Sequence, residues 1–300
     1  MDYISDKEQG PKPRTAEIIT PAAWGGIVAL VTELISSGAF GNRYPDASCP
    51  DRAGIIGTDE RTFSLAVKAE IQDIAWPLEI QRRITGGLSW AVEPYVPPTL
   101  SVLDLIQFCY QVVAKPVRRD FHDYFDHFHL AFDVEAGKEE LIARVNKIFE
   151  RNGIAFTLNN DGSIGRIVSP IVQEFLSAHF RTGDAVLDKM LDESQKKFLN
   201  PNPEIRREAI ERLWDCWERL KSIENPNNKK DSISTLIDKT TPDVEVRALL
   251  QEEARKLTDM GNSFHIRHTE IPQKRITDSA VLDYLFHRLF SLVQLLILKR

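Results

Sequence analysis

From residue 184 to the C-terminus the chain carries no strand pattern. Apolar residues recur there at three- and four-residue spacing, and the breaks fall at Asn, Asp and Pro residues of the kind that start helices. Over residues 203–223, Ile205, Ala209, Leu213, Cys216, Trp217 and Leu220 make one stripe, opposite Arg206, Glu208, Arg212, Asp215 and Arg219. Such a stripe has to be buried against a neighbour. Four helices are expected: residues 184–199, residues 203–223 with Asn202 as cap and Pro203 in the first turn, one starting near Asp243 and one near Asp278. Residues 225–231 (NPNNKKD) read as a loop. Short or polar connections imply an antiparallel helical bundle over residues 181–300.

The first 180 residues are more broken. Residues 1–14 are polar and proline-punctuated, too poor in apolar groups to offset the entropy of ordering them, and are expected to be a flexible tail. Residues 15–180 are expected to form a helical N-terminal domain. Thr20-Pro21 starts a helix that Gly38 ends, Thr58 or Asp59 caps a second, a third opens at Ser101 or Asp104 and closes at Lys115-Pro116, and a fourth spans residues 138–152 with Gly153 as its stop. Between the first two lies GNRYPDASCPDRAGIIG, residues 41–57, which at about 17 residues exceeds ordinary connections and so marks function or mobility. Residues 76–98, broken by Gly86-Gly87, Pro94, Pro97 and Pro98, read as irregular structure or short strands. The clearest change of period is IAFTL-NNDG-SIGRIV, residues 154–168, a β-hairpin whose turn residues tolerate positive φ. A helix followed by a hairpin is also the order of a winged helix, although such hairpins more commonly cover a helical core. The predicted fold is therefore mainly α: a helical N-terminal domain with a small β-hairpin, then a C-terminal antiparallel bundle.

Charge and cysteine usage restrict the function classes. Cys49, Cys109 and Cys216 are widely separated and odd in number, which offers neither a disulfide framework nor a CxxC zinc pattern and fits a reducing compartment. The N-terminus has no apolar run after a basic start, so no signal peptide is read there and a cytoplasmic location is expected. Two apolar runs, residues 22–40 and 281–298, carry Thr32 and Glu33 in the first and Asp283, His287, Arg288 and Gln294 in the second; both read as buried helices, with no membrane partner. The net charge of −6 is uneven: residues 1–200 hold 21 Lys+Arg against 28 Asp+Glu, whereas residues 201–300 hold 17 against 16. Affinity for a polyanion thus belongs to the last third and requires a local basic pocket. GxxxxGK[ST], GxGxxG after a strand, GxSxG and HExxH are all missing, which disfavours nucleotide hydrolysis, dehydrogenase chemistry and the standard hydrolase classes. Cys109 and Cys216 sit on apolar stripes and Cys49 sits beside Asp46, Pro50 and Asp51, so none is a good nucleophile.

Two clusters could carry chemistry. The first is GNSFHIRHTE, residues 261–270, with Lys274 and Arg275 beyond it, at the junction of the two most apolar helices. Metal-independent phosphodiester cleavage needs a group that exchanges a proton near neutral pH and a fixed cation for the phosphorane charge, and His268 and Arg267 are those two types. If the helix from Asp243 continues, however, Val246, Leu250, Leu257, Phe264 and His268 share one stripe, which makes His268 a core histidine and leaves Arg267 to pair with Glu270. The second cluster is His122, His127 and His129 with Asp120, Asp123, Asp126 and Asp133, residue types that suit zinc or manganese. On one helix His122 and His129 would share a face and His127 would lie off it. Phe121, Tyr124, Phe125 and Phe128 fill the intervening positions, so the segment reads as aromatic packing and no metal site is expected.

The stretch LDKMLDESQKKFLNPNPEIRREAIERLWDCWERLKSIE, followed by LTDMGNSFHIRHTE and DYLFHRLFSLVQLLI, resembles the C-terminal HEPN-like domain of AbiJ-type abortive-infection proteins, over about residues 181–300. In HEPN ribonucleases an arginine is commonly followed by a polar residue and, four to six residues after the arginine, by a histidine, with the active site formed between two protomers. The resemblance therefore implies RNA as a partner and a homodimer through the bundle. Asn262 and His268 stand at the polar and histidine positions, Gly261 falls where the arginine would be, and Arg267 is the substitute cation. Residues 15–180 resemble the helical N-terminal modules of such proteins more loosely, and no functional residue is carried from them. The expected function is metal-independent RNA cleavage in a defence role, with Arg267, His268, Asn262 and Glu270 catalytic, Lys274 and Arg275 on the RNA, and no cofactor. The alternative is a non-catalytic HEPN-like interaction or RNA-binding module, acting as a sensor or an antitoxin-like partner.

Overall fold

The computed structural model describes residues 4–47, 49–51, 54–84, 91–168, 176, 180–263, 276 and 278–299. The chain is mainly α and divides into two compact units, residues 1–167 and 168–300, each with its own apolar core. Sheet structure is confined, among the described residues, to two-stranded antiparallel ladders.

The first unit runs α1 (Ile4–Gln9), α2 (Pro21–Ser36), β1 (Pro45–Asp46), β2 (Gly57–Thr58), α3 (Glu60–Glu70), β3 (Gln81–Arg83), β4 (Val92–Pro94), α4 (Thr99–Val112), β5 (Lys115–His122), β6 (His127–Asp133), α5 (Val134–Arg151), β7 (Phe156–Leu158) and β8 (Ile164–Arg166). The helices start where short polar side chains can take their unpaired N–H groups. Thr20 Oγ1 accepts from Ala23 N–H at 3.2 Å, Asp59 from Thr62 N–H at 3.2 Å, and Asp133 from Ala136 N–H at 3.0 Å. Trp24 and Ile27 of α2, Phe63 of α3, Leu105 of α4 and Phe149 of α5 meet in the core, where Phe40 stacks on Phe63 with ring centroids 4.4 Å apart. Burying a side chain of this size contributes roughly 1.5–3 kcal/mol relative to leaving it in water.

Three segments differ from the sequence expectation. The polar N-terminus contains α1 and is fastened further on: Arg14 Nε donates to Ile154 O at 3.0 Å and its Nη2 to Phe156 O, so carbonyls of the hairpin region find a donor in the expected tail. Helix α5 begins at Val134 rather than near Lys138, since Asp133 caps it. Gly137 is accommodated in its first turn by close approach, as a Cβ there would lie 2.5 Å from Lys115 N. Third, residues 115–133 form the β5–β6 hairpin. Lys115-Pro116 does end α4, but the aromatic and histidine segment beyond it alternates across strands.

The hairpin read from residues 154–168 is present as β7–β8, in the register Phe156↔Arg166 and Leu158↔Ile164. Phe156 and Leu158 are buried, so it covers the helical core and is not a projecting wing. Asn146 of α5 holds it: Nδ2 donates to Leu158 O at 2.9 Å, while Oδ1 accepts from Leu158 N–H at 2.8 Å and from the Thr157 hydroxyl at 3.3 Å.

The second unit contains α6 (Ala185–Phe198), α7 (Pro203–Leu220), α8 (Lys229–Thr240), α9 (Val244–Ser263) and α10 (Ser279–Leu298). Asp184, Asn202, Asp243 and Asp278 cap α6, α7, α9 and α10 as expected. Helix α8 was not expected. Asn228 caps it by accepting from Asp231 N–H at 3.2 Å, so part of the NPNNKKD segment is helical. Its apolar contribution is short, Ile233, Leu236 and Ile237 among Ser, Thr, Asp and Lys, and so produces little periodicity. Helix α10 packs against α7 and α8. It is the one helix among the described residues long and apolar enough to cross a membrane, and Leu285, Phe286, Leu289, Phe290 and Val293 are buried in the core. Phe198 of α6 stacks on Phe286 at 4.0 Å, and Arg288 pairs bidentately with Glu253 of α9 at 2.6 and 2.7 Å.

Asn146→Ala leaves both polar groups of Leu158 without their partner, and should destabilise the first unit by about 1–3 kcal/mol. Differential scanning calorimetry measures this as a lowered midpoint of one transition. An unchanged midpoint would mean that Phe156 and Leu158 hold the hairpin by burial alone.

Candidate functional site

Loop 41–57 is folded down onto the β5–β6 hairpin. The β1–β2 ladder closes its base through Pro45↔Thr58 and Asp46↔Gly57, and Ile56 N–H donates to Asp46 O at 2.9 Å. Leu130 N–H of β6 donates to Ile55 O at 2.8 Å and stitches the loop to the hairpin. Gly54 makes this approach possible: a Cβ there would lie 3.0 Å from Cγ of His129. Cys49, 2% exposed, is thereby brought beside the histidines.

On the hairpin His122 pairs directly with His127, and His129 follows two residues later on the same face. The turn between the strands closes through Phe125 N–H donating to His122 O at 3.1 Å, with Asp126 at φ +50. Cys49 Sγ lies 3.7 Å from His122 Nδ1 and 3.4 Å from His129 Nε2. One ligand-type atom from each of Cys49, His122, His127 and His129 lies within 4.8 Å of every other. His122 Nε2 is 3.0 Å from Asp51 Oδ2, His127 Nδ1 is 3.2 Å from Phe125 O, and His127 Nε2 is buried with no hydrogen-bond partner. Read as a helix, the segment separates His127 from the other two; the hairpin brings all three together. Cys49 was missed as their neighbour. The signal that could have found the arrangement is the i,i+2 spacing of His127 and His129, which on a strand means one face. The other two thiols are as expected: burial pushes Cys109 and Cys216 up to about 12.

At the C-terminal cluster, Asn262 lies exposed on the last turn of α9, whereas Phe264, His265, Arg267, His268, Glu270, Lys274 and Arg275 lie outside the described residues. The stripe proposed along α9 is only partly buried: Leu257 is in the core, Leu250 packs at its edge, and Val246 is exposed. Gly261 has a definite packing role. Helix α9 lies so close to α7 here that a Cβ on Gly261 would sit 1.8 Å from Trp214 Nε1 and 2.5 Å from its Cδ1. The position that would hold the family arginine therefore has no room for any side chain. A groove of 690 Å³ lies nearby, lined by Lys221, Lys229, Lys230, Arg255, Thr258 and Asp259 among others. Part of its positive charge is compensated: Lys221 and Lys229 pair with Glu218, and Arg255 pairs with Asp259 at 3.2 Å.

The fold thus defines a mainly helical protein of two units, the first bearing a thiol and imidazole cluster and the second a bundle with a cation-lined groove. A family model described as AbiJ N-terminal domain 4 matches residues 2–178, and the chain belongs to that family. This associates it with abortive infection, a defence role. No curated protein and no solved structure matches the chain. The family match ends before α6.

Gly261→Ala should destabilise the second unit by about 1–3 kcal/mol, the cost of overpacking a well-filled core, and shift the emission of the buried tryptophans. Fluorescence-detected unfolding checks this; a neutral substitution would show that α9 can move away from Trp214 at no cost.

Proposed function

We propose that this chain is an abortive-infection effector whose C-terminal HEPN-like bundle cleaves RNA without a metal, as a cytoplasmic homodimer. The observation that carries the reading is the groove lined by Lys221, Lys229, Lys230 and Arg255 beside α9, because the last turn of that helix presents Asn262 and leads into the segment with Arg267 and His268. A local cationic groove on a unit of balanced charge is what selective RNA binding requires, since phosphate contacts dominate affinity for nucleic acid. In this reading His268 takes the 2′-hydroxyl proton and Arg267 stabilises the phosphorane. Asn262 orients the phosphate or the histidine, Glu270 positions the cation, and Lys274 and Arg275 contact the RNA backbone. The two-protomer site comes from resemblance, as does the dimer; α10 leaves Val281, Tyr284 and Leu298 exposed for such a contact.

One observation favours the second reading, a bundle that binds without cleaving. Gly261 is packed against Trp214, so the family's arginine cannot be restored at that position without displacing α9. The bundle would then serve as an interaction or RNA-binding module, a sensor or antitoxin-like partner.

RNA degradation by the purified chain, in buffer without added divalent cations, separates the two. Cleavage that disappears in folded His268→Ala and Arg267→Ala variants, by a hundredfold or more, supports the ribonuclease. Equal behaviour of wild type and variants supports the binding module.

A further inference from the structure

We infer that Cys49, His122, His127 and His129 bind one zinc ion that fastens loop 41–57 to the β5–β6 hairpin. This is independent of the RNA reading, since it lies in the other unit. The two sulfur–nitrogen separations are those of a tetrahedral site. With Zn–S near 2.3 Å and Zn–N near 2.05 Å, neighbouring sulfur and nitrogen ligands stand about 3.6 Å apart. Cys49 Sγ stands 3.7 Å from His122 Nδ1 and 3.4 Å from His129 Nε2.

The outer contacts point the same way. Metal-bound histidines commonly donate the other ring N–H to a carboxylate or a backbone carbonyl, which sets the tautomer and aims the lone pair. His122 has Asp51 Oδ2 at 3.0 Å from Nε2, which leaves Nδ1 for the ion beside Cys49. His127 has the carbonyl of Phe125 at 3.2 Å from Nδ1, which leaves Nε2 as the nitrogen available to an ion. That Nε2 is buried and without a hydrogen-bond partner, a costly state for a polar atom unless it ligates an ion. Cys49 is 2% exposed, so its thiolate is shielded from solvent once bound.

Ligand chemistry selects the metal. One thiolate and three imidazoles suit zinc and exclude magnesium and calcium, which take oxygen ligands. Four protein ligands close the tetrahedron and leave no position for water, so the ion is structural. Binding takes the Cys49 proton, which is released to solvent. The ion joins a residue of the long loop to three residues of a hairpin that follows about 70 residues later, closing a large loop of chain and adding to the β1–β2 ladder and the Leu130–Ile55 bond that already hold the segment.

The test uses the full-length chain without a histidine tag. Elemental analysis should find about one zinc per chain, and cobalt(II) added to the metal-stripped protein should give the intense d–d absorption of a tetrahedral site with a thiolate-to-cobalt charge-transfer band. Cys49→Ser should lose that band, and His127→Asn should weaken zinc binding at least a hundredfold in a competition titration. Asp51→Asn leaves all four ligands in place and should weaken zinc by about tenfold, the lower end for an outer-shell partner, so it tests the site even if a ligand variant does not fold. Absence of stoichiometric zinc both as purified and after loading, a cobalt spectrum without the thiolate band, or a Cys49→Ser chain that binds zinc as tightly as wild type would each overturn the assignment.

Discussion

An amphipathic helix is stable in water only when its apolar stripe is covered, and in this chain the stripes are covered within two separate cores. Trp24, Phe63 and Phe149 close the first and Trp214, Phe286 and Phe290 the second. Burial at roughly 1.5–3 kcal/mol per large side chain outweighs any single hydrogen bond, whose net worth is about 0.5–1.5 kcal/mol. Helix positions therefore follow the stripes, and polar groups adapt to the geometry so fixed. Asn146 reaches both polar groups of Leu158 because α5 is already held against the core by Leu141, Val145 and Phe149. Arg288 finds Glu253 because α9 and α10 both border the same core.

Close packing also decides what a position can hold. At Gly261 the backbone of α9 rests on the Trp214 indole, and at Gly54 the loop backbone rests on His129. At Gly261 the approach is one that any side chain would block and at Gly54 one that a side chain would crowd, and the consequences differ. The first removes a position where the resembled family carries an arginine, so that the ribonuclease proposed above would have to draw its cation from elsewhere. The second lets a long loop deliver Cys49 to a set of histidines.

The two units also offer different chemistry. The N-terminal unit, which carries the AbiJ N-terminal domain 4 match, holds soft nitrogen and sulfur donors in a shielded cluster. The C-terminal unit presents cations along a groove and exposes Asn262 at the end of α9. The ion proposed for the first unit and the RNA contact proposed for the groove of the second involve separate residues, so each proposal can be tested without altering residues of the other.

How far each feature was legible depended on the range of the interaction behind it. Asp59, Asp184, Asn202 and Asp278 were readable as caps or helix starts because a cap bonds to N–H groups two or three residues away, whereas the Asp133 cap was missed. The β7–β8 hairpin was readable from its turn, and the stripe of α7 from its period. Helix α8 was not, since Ile233, Leu236 and Ile237 span little more than one turn, too short a stretch to establish a period. The β5–β6 hairpin was read as helical packing because Asp120, Asp123 and Asp126 recur every third residue among aromatics and histidines, a spacing nearer the helical period than the strand's. By itself, then, the sequence determined a mainly α chain in two parts, the caps, the covering hairpin and the inert Cys109 and Cys216. Only the tertiary structure decided that Gly261 meets Trp214 and that Cys49 meets His122 and His129. Those contacts join residues 47 to 80 positions apart, and no local period encodes which distant surfaces close packing will bring together.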